Sequence, residues 1–174
     1  PIPLDLTVVL IGSPVLYHVF FAADPDFSSY FKVKAHIEPF IDATPSNLSH
    51  YAGLLARYAE SRGASLDAGA MTLLLGLAAR WATHRGRVST QYEALYDLIE
   101  EACDGCDVVD EAAIREARGA RRQRNSQIED QVHRSIKDKL TIISVTGRAV
   151  GQVNGLTVQD VGDHVFGTPA RITA

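Results

Sequence analysis

The chain has 174 residues, 46% hydrophobic and 22% charged, in a mass of 18.9 kDa, values that exclude a disordered or fibrous protein and allow one ordinary domain or two small ones. A net charge of −4 excludes the global basic field of an indiscriminate nucleic-acid binder. The longest apolar run, residues 68–79, is about a dozen residues against the roughly 20 that a bilayer needs, so no membrane contact is expected.

Residues 6–12, Leu-Thr-Val-Val-Leu-Ile-Gly, read as a strand buried on both faces. Pro14 suits the first turn of a helix, in which Val15, Leu16, Val19 and Phe20 repeat at helical spacing. Asp24-Pro25-Asp26 stops that helix, and residues 30–35 alternate apolar with basic, as a half-exposed strand does. The opening 40 residues are therefore expected to be a β-α-β piece.

Helical periodicity fills residues 44–118. Thr44-Pro45 is an N-cap followed by proline at the first helical position, Leu48, Tyr51, Leu55 and Tyr58 line one face, and Gly63 suits the C-terminal cap. Ser65 is the expected cap of a second helix, whose Leu66, Ala70, Leu73, Leu74, Leu77, Ala78 and Trp81 make it the buried centre of a bundle. Thr90-Gln91-Tyr92-Glu93 fits a capping box ahead of a third helix carrying Leu95, Tyr96 and Ile99. Asp110 caps a fourth.

Arg115, Arg118, Arg121, Arg122 and Arg124 fall within ten residues, and Ile128, Val132, Ile136 and Leu140 then recur every fourth position. This predicts a long or broken amphipathic helix to about Lys139. From Thr141 the period switches to two, with Gly147, Gly151, Gly155, Gly162 and Gly167 as punctuation, so the end of the chain is read as a β-hairpin or looped strand. The fold class expected is mainly α with flanking β.

Chemistry-bearing motifs are sparse. Cys103-Asp-Gly-Cys106 is a CxxC pair, but His18, His36, His50, His84, His133 and His164 are scattered without ligand spacing, and the pair closes a helix instead of opening one. It is read as two free thiols in a reducing, cytoplasmic setting. There is no Gly-x-x-x-x-Gly-Lys-[Ser/Thr] to cradle phosphates, and neither Gly-x-Ser-x-Gly nor His-Glu-x-x-His occurs. No catalytic residue and no metal ligand is therefore assigned. The arginine cluster reads as a solvated helix face relieved by Glu111, Glu116, Glu129 and Asp130, and nucleic acid is not expected as a partner. A further reading pairs those arginines with the acidic run Glu100, Glu101, Asp104 and Asp107 of a neighbouring subunit.

A strand, a helix, a second strand and then a four-helix bundle is the element order in the second half of an AAA+ ATPase module, where the core passes into a helical lid. Thr7-Val-Val-Leu-Ile-Gly-Ser-Pro-Val-Leu-Tyr17, Asp24-Pro-Asp-Phe27 and Phe31-Lys-Val-Lys34 resemble the corresponding stretch of the Lon-like ATP-dependent proteases. Val150-Gly-Gln-Val-Asn-Gly-Leu-Thr-Val158 and Gly167-x-Pro-x-Arg-Ile-Thr-Ala174 resemble the opening of the Lon-type proteolytic domain.

The resemblance implies four parts: residues 1–42 as the C-terminal part of the AAA+ core, 43–118 as the helical lid, 119–140 as a connecting helix and 141–174 as the start of the proteolytic domain. It implies a parent chain with a phosphate loop upstream and a serine–lysine dyad downstream, so that this chain alone is expected to be inactive. ATP and Mg would serve the parent, none being held here. The implied partners are the rest of the parent chain, a homo-oligomer, a hexamer, and protein substrates. The family's polar sensor falls at Ser13; its lid arginine is expected where Gln91 stands, and Arg87, one turn earlier, is the candidate substitute. The alternative function is a stand-alone helical interaction module that binds a partner protein or nucleic acid through the arginine face.

Overall fold

A computed structural model describes residues 6–161 and 164–173; Gly162 and Ala174, singled out above, lie outside them. The chain divides into two compact units, Pro1–Glu38 and Pro39–Ala174.

In the first unit Ser13 caps α1 (Pro14–Ala23), its Oγ accepting from the Leu16 N–H at 3.4 Å, with Pro14 in the first turn as expected. A short α2 (Phe27–Tyr30) follows. The ring of Phe27 is buried among Tyr17, Phe20 and Phe31, with centroids 5.0–5.8 Å away. The two strands expected here are not formed: residues 6–12 and 31–37 take no regular hydrogen-bonded form, and Tyr30 belongs to α2. A strand exists only with a ladder partner, and the described residues of this unit provide none.

The second unit holds the expected bundle. Its helices are α3 (Pro45–Ser61), α4 (Ala68–Trp81), α5 (Tyr92–Ala102) and α6 (Glu111–Asn125), continued by α7 (Gln127–Lys137). Thr44 and Asp110 cap α3 and α6, accepting from Asn47 N–H at 3.2 Å and Ala113 N–H at 2.8 Å. Gly63, at φ +81°, ends α3: its N–H reaches the Glu60 carbonyl and that of Ala64 reaches Ala59, both at 3.0 Å. That double bond pattern needs a left-handed residue, which glycine supplies without a Cβ clash.

Two caps differ from expectation. Asp67, not Ser65, caps α4, accepting from Ala70 N–H at 2.6 Å. Ser65 is used instead in β2 (Ser65–Leu66), paired in parallel with β4 (Val108–Val109). The proposed capping box at α5 makes no side-chain cap bond at Gln91. The Thr90 N–H, which a capping box would give to Glu93, bonds the Pro39 carbonyl at 2.9 Å, beside the antiparallel pair β1 (Phe40–Asp42) and β3 (Arg87–Ser89).

One core joins the four helices: Tyr51 and Leu55, Leu74 and Leu77, Leu95 and Ile99, and Ile114 are buried together with Val88 and Val109. Burial of each such aliphatic chain contributes about 1.5–3 kcal/mol. Leu73 is only half-buried and Trp81 is 36% exposed, so α4 is not buried all round as expected. Trp81 is the last residue of α4, beyond the turn that Ala78 packs into the core.

Helix α6 passes into α7 through Ser126, which ends one and begins the next at φ −81°, ψ 4°. The amphipathic helix is therefore broken, and it stops where Lys139 turns to φ +57°. Residues 141–151 stay irregular, and the alternating tail pairs only in β5 (Gln152–Val161) and β6 (His164–Thr173), ten residues each in antiparallel register from Gln152↔Thr173 to Val161↔His164. The face carrying Leu156, Val158 and Val165 is exposed.

Candidate functional site

Ser13 spends its hydroxyl on capping α1 and stands in the first unit. Arg87 and Gln91 flank the turn from β3 into α5 in the second. Opposite Asp42 in the β1–β3 register, Arg87 places Nε 3.4 Å from Asp42 Oδ1 and lays its guanidinium 4.3 Å from the Phe40 ring centroid. It is held flat by cation–π and ion-pair contact. Gln91 has an exposed side chain, and its backbone N–H donates to Ser89 Oγ at 3.2 Å. The structure thus brings Arg87 and Gln91 to one connection, with the Gln91 amide unspent on the cap.

The arginine cluster is largely neutralised within the chain. Arg121 meets Asp97 at 3.2 Å and Arg124 meets Glu101 at 2.6 Å, tying α6 to α5; Arg115 pairs with Glu111 a turn away. Arg122 reaches Glu129 at 3.4 Å. Of the acids expected to meet a neighbouring subunit, Glu101 takes Arg124 of the cluster, while Glu100 is engaged by Arg62 at the end of α3 at 3.1 Å. Arg118 instead lines a shallow groove of about 260 Å³ between α4 and α6, with Arg80, Thr72 and Gly76.

The contact that the sequence did not reveal lies between α7 and the hairpin. Glu129 Oε2 meets His164 Nε2 at 2.9 Å, while Oε1 faces Arg122. The His164 ring stacks on Phe166, centroids 5.4 Å apart, and both residues are buried. The hydrogen bond from His164, helped by Arg122 and His133, holds the Glu129 carboxyl below the usual carboxylate range. An apolar ring, an imidazole and a carboxylate together dock β6 on α7. No sequence signal marks a histidine and a glutamate 35 positions apart; Phe166 within an alternating strand was the one available hint.

Cys103 and Cys106 sit in the turn after α5, both half-buried against the core. Among the described residues no group of three or more His, Cys, Asp or Glu is placed to hold a metal ion, and no helix is long and apolar enough to cross a membrane. Chemically, the arrangement is a set of holding contacts that connect a helical bundle to a hairpin.

Two family models match parts of the chain. Residues 1–38 match the family model described as LonB-like, AAA domain. Residues 65–124, from β2 to the end of α6, match that described as archaeal LonB, AAA+ ATPase LID domain. A search of curated proteins finds no match to the chain.

Proposed function

From the premise that the chain belongs to the Lon-like AAA+ ATPases, we propose that it couples the nucleotide state of the ATPase lid to a serine–lysine protease domain of the same parent protein. The observation that carries this reading is the chain of contacts from lid to hairpin. Helix α6 packs in the lid core through Ile114 and Ala117, continues through Ser126 into α7, and α7 grips β6 through Glu129, His164 and Phe166. A rigid-body turn of the lid moves whatever is fixed to its last helix.

In this reading residues 1–42 end the ATPase core, 43–118 form the lid, 119–140 connect and 141–174 begin the proteolytic domain. The parent works as a cytoplasmic homohexamer on protein substrates. ATP and Mg belong to that parent. The phosphate-cradling loop is not among these residues, and Arg87 is engaged by Asp42 and Phe40, so the chain does not make a nucleotide site by itself and no hydrolytic step is assigned to it. Its contribution to sensing is confined to Ser13 at the start of α1 and to Arg87 and Gln91 at the β3–α5 connection. The alternative, an interaction module working through the arginine face, has less support, because four of the five clustered arginines are paired within the chain.

Phe166→Asp in the full product of the gene tests the coupling. ATP hydrolysis should persist while ATP-dependent cleavage of casein falls by at least about fivefold, the low end of ordinary coupling energies. Equal loss of both activities, or loss of neither, would overturn the proposal.

A further inference from the structure

The CxxC segment has no part in the coupling path, yet its geometry is specific. Cys103 follows the last residue of α5, and the Cys106 N–H donates back to the Cys103 carbonyl at 3.4 Å. Residues 103–106 therefore form a hydrogen-bonded turn, with Gly105 at φ +76° supplying its left-handed position. Such a turn brings its end Cα atoms within about 7 Å, at the range that a disulfide spans.

Both side chains are half-buried and pack against the helical core. The Cys106 thiol donates to the Ala102 carbonyl at 3.3 Å, so it is turned back toward the helix end where Cys103 begins. Burial, with Cys106 and Glu100 adding to it and Arg62 opposing, pushes the Cys103 thiol up. Among the described residues no further ligands gather around the two sulfurs to make a metal set. A pair of adjacent thiols without additional ligands has exchange chemistry open to it.

We propose that Cys103 and Cys106 are a thiol–disulfide exchange site that reacts with low-molecular-weight disulfides and closes an intramolecular bond across the turn. The thiolate of Cys106 attacks one sulfur of the small disulfide. A mixed disulfide forms, and one small thiolate leaves and takes up the proton lost by Cys106. Cys103, deprotonated in turn, attacks the Cys106 sulfur of that mixed disulfide; the Cys103–Cys106 bond forms and the second small thiol departs. The protein pair loses two electrons and two protons, and the small disulfide is reduced to two thiols. The turn so closed is the one that passes α5 into β4, whose pairing with β2 ties the α3–α4 connection to the α5–α6 connection.

The test uses the folded full chain and oxidised glutathione as the probe. Thiol titration and intact mass should show both thiols lost, no glutathione retained and a mass lower by two hydrogens, all reversed by dithiothreitol. Cys103→Ser should stop at the intermediate and retain one glutathione on Cys106. Wild-type chain that keeps glutathione on either sulfur, forms a disulfide-linked dimer, or leaves both thiols free while its denatured form reacts, would overturn the proposal.

Discussion

The hydroxyl of Tyr51 lies inside the bundle, 1% exposed, and donates to the Ser89 carbonyl at 2.8 Å. It ties α3 to the end of β3, next to Arg87 and Gln91. Burial pushes this hydroxyl up, out of its ordinary range, with Tyr92 and Tyr96 adding to the effect, so at neutral pH it is a neutral donor. Tyr51→Phe would leave the Ser89 carbonyl without that donor, which should cost about 1–2 kcal/mol. Urea unfolding followed by circular dichroism checks this, and an unchanged midpoint would show that the carbonyl finds another donor. At the same scale, the tyrosine positions on α3 and α5 were legible as a helical stripe, but their stacking was not. Tyr58 and Tyr96 lie 4.0 Å apart in near-parallel planes, and Arg62 and Glu100 close the end of the row. Periodicity says which residues share a face; it does not say which faces meet.

Among the elements, the hairpin has the most conditional placement, because its docking rests on a small group of side chains. Glu129 is the titrating member, its folded-state pKa depressed chiefly by the hydrogen bond from His164. A depressed carboxylate contributes stability that is complete above its unfolded value and is lost as pH falls through the folded one. Hairpin docking should therefore hold at neutral pH and weaken below the ordinary glutamate range, near about pH 4. Glu129→Gln should remove that acid dependence while weakening docking at neutral pH. Hydrogen exchange at the amides of Val165 and Phe166, measured from pH 7 downward, reads both effects; parallel profiles for wild type and variant would refute the assignment. Helix ends were legible from local caps at Thr44, Gly63 and Asp110. They were missed at Ser65 and Thr90, where pairing with distant backbone, Val108 and Pro39, outcompetes the local motif. The strands expected at 6–12 and 30–35 failed for a related reason. An apolar run states that a segment can be buried, but a strand also needs neighbours.

For the whole molecule, the expectation is an absence of turnover. The 174-residue chain should hydrolyse neither ATP nor casein, because phosphoryl transfer needs a backbone cradle and a lysine at the phosphates, and its sequence carries no such loop. Turnover that survives repurification of this chain would refute the reading. The helical lid was legible from its stripes, since one core accounts for nearly every repeated apolar position, whereas the grip on the hairpin joins residues with no common period. That grip has a mechanical consequence. Glu129 stands three residues past the break at Ser126, about 4.5 Å along the axis at a rise of about 1.5 Å per residue. Lys137, at the far end of α7, is about 16 Å from the same break. A swing of about 10° at Ser126 would carry Lys137 by about 3 Å but the Glu129 grip by less than about 1 Å. The hairpin is attached near the fulcrum of its lever, where travel is short and force is large.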